Sequence, residues 1–233
     1  MDAQLSAVIL TARDGARAEI NPHGAQVASW VPAGGGRSER ERLFLSQASE
    51  FQAGAPMRGG APVIFPQFGG LGALPKHGFA RLCAWELVSV DRGAETASTQ
   101  FALGDSEATR QLWPHSFRAE VRVTVGGQRL EINLAIANTG RDSFTFTAAL
   151  HTYFRVEDVA TAAVEGLQGV RFHDTTVSPW VEGVQMDPHP LAGLRSTRTT
   201  LHHRCGFPRQ GRLGHRAGAG ERPVGDQRSA SLR

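Results

Sequence analysis

The sequence predicts an all-β protein, an antiparallel sandwich or barrel. Three observations carry this: short runs whose polar and apolar residues alternate with period two, turn residues between the runs, and no window that keeps a 3.6-residue period over three turns. The first strands are AVILTA (7–12) and RAEINP (17–22), which flank Asp14-Gly15, a pair suited to a tight turn. AQVASWVP (25–32) follows and ends in the loop Ala33-Gly34-Gly35-Gly36-Arg37-Ser38. A short helix is predicted around Ser106 to Trp113. FRAEVRVTV (117–125) and RLEINLAIAN (129–138) alternate cleanly on either side of Gly126-Gly127 and make the clearest hairpin in the chain. SFTFTAALHTYF (143–154) is a further strand candidate.

With 233 residues and 40% hydrophobic residues, the chain has material for a sizeable core. We find no internal repeat and no break within 1–190, so residues 1–193 are expected to form one β domain. The net charge of +3 is too small to argue for nucleic acid or a membrane surface. The apolar patch from Ala7 to Leu10 lacks a basic region before it and a cleavage site after it, which does not suit a signal peptide; no run is long enough to cross a bilayer. Cys83 and Cys205 do not make a disulfide framework. A soluble, cytoplasmic, monomeric protein without membrane or nucleic-acid partners is expected.

Composition shifts near residue 194. Residues 195–233 contain nine Arg against Glu221 and Asp226, a charge of +7 that leaves about −4 on the remainder. Without alternation or an apolar face, residues 194–233 are expected to be a disordered basic tail. An Arg-rich arm can neutralise nucleic-acid phosphates. The same Arg, Gly and Ala content is also that of a shifted reading frame in a GC-rich gene. Lys76 is the only lysine, so the other 24 of 25 basic residues are Arg, and we prefer the shifted-frame reading.

Candidate chemistry gathers in MRGGAPVIFPQFGGLGALPKHGFAR (57–81). Gly59 and Gly60 permit close backbone approach, Pro62, Pro66 and Pro75 stiffen the segment, and Val63, Ile64 and Phe65 anchor it. Arg58 and Arg81 on such a frame suit a bidentate clamp for phosphate or carboxylate; they read equally as arginines on the rim of a surface loop. His77, beside Lys76, and His151, within an apolar strand, have the proton affinity for acid or base work near neutral pH, although a strand histidine is also a common hydrogen-bonded core residue. His23 and His115 read as turn or strand-edge residues, and His173 and His189 as loop residues. The chain has no Walker loop, no GxGxxG, no GxSxG and no HExxH or paired-Cys spacing, so neither a nucleotide site nor a metal site is expected.

Several segments then form a collinear series: Gly24-Ala25 with Ser29-Trp30, LFLSQASEFQAG (43–54), MRGGAPVIFPQFG (57–69), KHGFAR with Trp85, LWPHSF (112–117), ALHTYFRV (149–156) and VEGLQGVRFHD (164–174). The series resembles the glucose-6-phosphate 1-epimerase branch of the aldose 1-epimerase, or mutarotase, family over residues 20 to about 190. The resemblance implies a large antiparallel β-sandwich of the galactose-mutarotase type, incomplete at the C-terminus. It also implies interconversion of the α and β anomers of a hexose 6-phosphate, without a cofactor. One group removes the C1 hydroxyl proton while another protonates the ring oxygen; the ring opens, the aldehyde rotates and the ring recloses.

By that resemblance His151 of LHTYF is the catalytic histidine that donates to the ring oxygen. Arg58 and Arg81 are the arginines associated with the sugar phosphate, and His77 binds sugar hydroxyls. Lys76 stands where family members carry Gln, and a cation there can still meet a phosphate or hydroxyl. The departure lies in the last third, where the family supplies an acidic residue in a Val-Asp-Arg-like strand and a later Glu as base. Glu182, Asp187, Glu221 and Asp226 are the late carboxylates here and none has those surroundings, so the catalytic base stays unassigned. The expectation is a chain of this family with impaired activity; the other reading is a sugar-phosphate binding protein without catalysis.

Overall fold

The structure is a computed structural model that describes residues 6–34, 40–47, 55–70, 72–158, 161–162, 168–174, 179, 181–186, 199–201 and 228–232, with backbone only for 172–174 and the last two segments. The chain divides into two compact units, residues 1–155 with 208–233, and residues 156–207. The sequence showed no break inside 1–190, yet the contacts part after Arg155.

The first unit opens with β1 (Val8–Thr11), β2 (Arg17–Asn21) and β3 (Gln26–Val31), an antiparallel sheet in that order. Asp14 turns β1 into β2 by accepting the Ala16 N–H at 2.9 Å, as the Asp14-Gly15 pair predicts. The short β4 (Val63–Ile64) lies beyond a long connection and pairs with β9 (Ala149–Leu150). The remaining strands form one antiparallel sheet. β5 (Glu86–Arg92), β6 (Ala97–Gly104), β7 (Phe117–Gly126) and β8 (Arg129–Asn138) are neighbours in sequence order, and β13 (Arg228–Leu232) pairs with the far side of β8.

The β7–β8 hairpin follows its period-two pattern residue by residue. Phe117, Ala119, Val121, Val123 and Val125 are buried, as are Leu130, Ile132, Leu134 and Ile136 across from them. They face Leu10, Ala18, Ile20 and Val27 of the first sheet in one hydrophobic cluster that also holds Val63, Phe65, Phe79 and Trp85. Between β6 and β7, α1 (Glu107–Leu112) forms where a helix was predicted. Ser106 caps it: its hydroxyl accepts the Thr109 N–H at 3.2 Å while Thr109 Oγ1 accepts the Ser106 N–H at 2.8 Å. Pro114, just beyond the C-cap residue Trp113, cannot continue the helix.

Two expectations need correction. Residues 143–154 were read as one strand, but only Ala149–Leu150 form strand. β5 and β6 were not foreseen. In β5 a register shift between Leu87 and Ser89 breaks the alternation, and all seven residues are exposed at the edge of the sheet. The second unit contains β10 (Arg171–Asp174), β11 (Val181–Val184) and β12 (Thr199–Leu201), antiparallel in the order β11-β10-β12. Of the tail read as disordered, residues 194–198, 202–227 and 233 lie outside the described residues, while 199–201 and 228–232 are strands. No described helix is long and apolar enough to cross a membrane.

Candidate active site

The glycines beside Arg58 are required by their neighbours. Gly59 has φ +119°, and a Cβ there would sit 2.3 Å from the Phe44 carbonyl oxygen; Gly60 has φ +61° and would place a Cβ 2.2 Å from that of Val27. The chain thus threads between two backbones, held by Gly60 N–H to Phe44 O (2.7 Å) and Ala61 N–H to Val27 O (2.8 Å). Buried Gln26 supports the bend from beneath, donating to Gly59 O at 2.6 Å and Met57 O at 3.4 Å. Arg58, at the turn, is exposed, and its carbonyl accepts the Ser46 N–H at 2.9 Å.

A second knot orders residues 66–80. Gln67 is buried, donates to Leu74 O at 2.9 Å and accepts the Leu74 N–H at 2.9 Å. His77 and Gly69 bond reciprocally, His77 N–H to Gly69 O at 2.9 Å and Gly69 N–H to His77 Nδ1 at 3.2 Å. Because Nδ1 accepts, neutral His77 carries its proton on Nε2. A 3-10 turn, Ala80–Leu82, then projects Arg81, with Ala80 fixed by the Trp85 indole N–H at 2.9 Å. Arg81 Nη2 donates back to Lys76 O at 3.0 Å, while its buried Nε has no hydrogen-bond partner among the described residues.

The third component is the segment around β9. Thr147 N–H donates to Pro66 O (2.9 Å), His151 N–H to Pro62 O (3.0 Å) and Tyr153 N–H to Gly60 O (2.8 Å), with β9 in the same register between them. The ladder therefore runs past both ends of the two-residue strand. Residues 151 and 153 alternate to one side of it. Their rings stack, centroids 5.0 Å apart at 27°, and His151 meets His77 edge to face at 5.6 Å and 83°.

These pieces enclose a cavity of about 440 Å³ lined by Phe44, Ser46, Pro56, Met57, Arg58, Gly59, Pro62, Ile64, His77, Arg81, His151 and Tyr153. That is within the size of a small-molecule pocket. Four of the five predicted site residues, Arg58, His77, Arg81 and His151, meet there. Lys76 is not in the lining; its side chain is exposed and its carbonyl holds Arg81. Among the described residues, neither Asp nor Glu is in the lining. Glu182 is exposed on β11 in the second unit, while Asp187, Glu221 and Asp226 lie outside the described residues.

The electrostatics are those of a cationic pocket. Burial, then Arg81, His151 and Lys76, lower His77 to about 4. Burial lowers His151 as well, with Arg81 and Lys76 adding to the effect against a contribution from its own backbone. Burial also lowers Arg81, offset by Tyr153. Both imidazoles are thus neutral near pH 7 in the empty cavity. Among the described residues no group of three His, Cys, Asp or Glu could hold a metal ion.

Among the other histidines, His23 and His115 are not in this lining. His23 Nε2 is 3.1 Å from Ala55 O, and His115 packs against Trp113 and Phe144. His173 lies on β10, and His189 is outside the described residues. Tyr153 was not foreseen as a site residue; its signal was the His-x-Tyr spacing of HTY, which puts two rings on one side of an extended segment.

Residues 6–200 match the profile of the family described as Aldose 1-epimerase. Two relatives carry the name "Putative glucose-6-phosphate 1-epimerase". That of Escherichia coli K12 is 39% identical over 178 residues, covering 74% of this chain and 57% of the relative. That of Salmonella typhimurium LT2 is 38% identical over 188 residues, covering 80% and 60%. A Salmonella typhimurium crystal structure described as a "putative mutarotase" superposes with a TM-score of 0.68 at 37% identity, covering 78% of this chain and 58% of that one. The chain therefore spans 57% and 60% of the length of these two relatives.

Proposed function

The chain belongs to the aldose 1-epimerase family, and from that premise we propose that its cavity binds a hexose 6-phosphate and interconverts the α and β anomers. The observation that carries this reading is the convergence of Arg58, Arg81, His77 and His151 on one cavity of about 440 Å³. In it Arg58 and Arg81 meet the phosphate, with the Nε of Arg81 an unused donor. Exposed Lys76 adds attraction for the dianion from outside the lining. His77 offers Nε2–H to a sugar hydroxyl, and His151 gives a proton to the ring oxygen as the C1 bond opens.

The charge pattern links binding to chemistry. Arg81 and Lys76 help hold His151 neutral in the empty cavity; a bound dianion offsets both and raises the affinity of His151 for the proton it must donate. The described lining residues include no carboxylate, and in this reading the C1 hydroxyl proton goes to water. A positioned base contributes about 10²- to 10⁴-fold, so the rate is expected to sit below that of a site with both groups. The lack of a carboxylate among the described lining residues favours a second reading, a sugar-phosphate binding protein without catalysis.

Calorimetry with glucose 6-phosphate, together with NMR of α-anomer decay above the spontaneous rate, separates the two. Anomerisation that quickens as pH is lowered from the alkaline side, and that His151→Ala abolishes, supports the enzyme. Binding weakened about 10- to 100-fold by Arg81→Ala, the worth of charge-assisted hydrogen bonds, but with no anomerisation, leaves the binding protein. No binding at all refutes both.

A further inference from the structure

We infer that Tyr153 is a positioning residue for His151: its ring face holds the imidazole in line with the cavity and favours the protonated, proton-donating form. The inference rests on the reading of His151 as the proton donor. Its first ground is geometric. The two rings stack at 27° with centroids 5.0 Å apart, while His77 closes the His151 ring edge-on from another direction. The imidazole is thereby bounded by a face and an edge, which limits its rotation.

The second ground is how Tyr153 is itself held. Its N–H donates to Gly60 O at 2.8 Å and its carbonyl accepts the Phe44 N–H at 2.9 Å. Both partners belong to the crowded backbone crossing where Gly59 and Gly60 admit no side chain. A rigid frame thus reaches His151 through the ring of Tyr153. Yet Tyr153 is 41% exposed and lines the cavity, so the ring is not spent on filling the core.

The third ground is charge. Among the described residues, the titratable groups around His151 are His77, Lys76 and Arg81 from residues 76–81, Arg58 from the neighbouring turn, and Tyr153 on its own segment. All except Tyr153 are cationic or become so on protonation. A ring face attracts a cation through its quadrupole, so Tyr153 joins the backbone of His151 in favouring imidazolium.

The test is an NMR titration of the His151 ring in the full chain and in Tyr153→Phe and Tyr153→Leu variants. Phe retains the ring face; Leu retains bulk without it. The expected result is an unchanged midpoint in Tyr153→Phe and one lower by about half a pH unit in Tyr153→Leu, the equivalent of one cation–π contact. Where the chain anomerises glucose 6-phosphate, Tyr153→Leu should lower kcat on the order of tenfold, by misaligning the donor, with KM changed less than about twofold. Tyr153→Met replaces Tyr153→Leu if the latter loses its dispersed amide spectrum. Coincident midpoints for wild type and Tyr153→Leu overturn the inference, as does an equal shift in Tyr153→Phe. If the wild type neither binds nor anomerises glucose 6-phosphate, the functional reading falls, while the titration still decides whether Tyr153 acts on His151.

Discussion

The β7–β8 hairpin and the wall from Met57 to Arg81 both feed the same hydrophobic cluster, but they reach order by opposite routes. The hairpin is repetitive: each second residue is buried, each pair repeats the last, and its ten registered pairs share the load. The wall is singular. Its only regular strand has two residues, and the rest depends on contacts made once, such as Gln26 beneath Gly59 and Gln67 clasping Leu74. Repetition makes a stable scaffold but presents an ordinary surface. One-off contacts can aim an arginine and a histidine at a cavity, at the cost of having no redundancy.

The largest expected effect is therefore at the wall's backbone crossing. Gly60→Ala sets a Cβ 2.2 Å from Val27 O at φ +61°, which should destabilise the chain by about 3 kcal/mol or more from strain and overpacking together. Urea denaturation measures it. A loss below about 1 kcal/mol would mean that the wall can shift and would erase the contrast.

Acid should find the same weakness more gently. His77 falls from its ordinary 6.5 to about 4 in the folded chain, so between those values the unfolded chain binds the proton first and stability declines as pH falls. The loss should be smaller than that of Gly60→Ala, because His77 is partly open to solvent. Hydrogen exchange should show it as faster opening at Gly69 and His77, with β7–β8 protected, and His77→Gln should remove its part of the pH dependence, leaving that of His151, which burial also lowers. Equal loss of protection in the hairpin would show that the two regions open as one.

The smallest effect is expected on the hairpin surface. Arg118 pairs with Glu120 at 2.8 Å, but the side chains are 44% and 29% exposed. Arg118→Ala should cost less than about 0.5 kcal/mol in the same denaturation. A larger loss would show that the repetitive region, too, leans on single contacts.

The same division governs how much could be read from the chain. The hairpin and α1 were legible because their signals are local: period two around a Gly turn, and a Ser cap three residues before Thr109. β5 escaped because its bulge interrupts the period, and 143–148 was overread because the alternation of SFTFT suits an extended segment whether or not it pairs as strand. Of the site, Arg58, His77, Arg81 and His151 were visible as motif residues, whereas their meeting in one cavity depends on pairing between residues some ninety apart. Lys76 was named for its charge, which does act on both histidines, but its carbonyl also holds Arg81, a contact that no side-chain motif encodes. Tyr153 was passed over because its importance lies in facing His151, a relation set by the ladder to Gly60–Pro66.

That ladder has a consequence for how the segment can change over time. Thr147, His151 and Tyr153 bond in one register to Pro66, Pro62 and Gly60, so side chains turn toward the cavity by parity of position. Substitutions at 148, 150 or 152 leave that parity intact. Inserting or deleting one residue between 147 and 151 would instead present Leu150 or Thr152, respectively, where His151 now stands. The segment is thus open to changes of spelling and closed to changes of length, because one residue more or fewer takes the His151 ring out of the cavity.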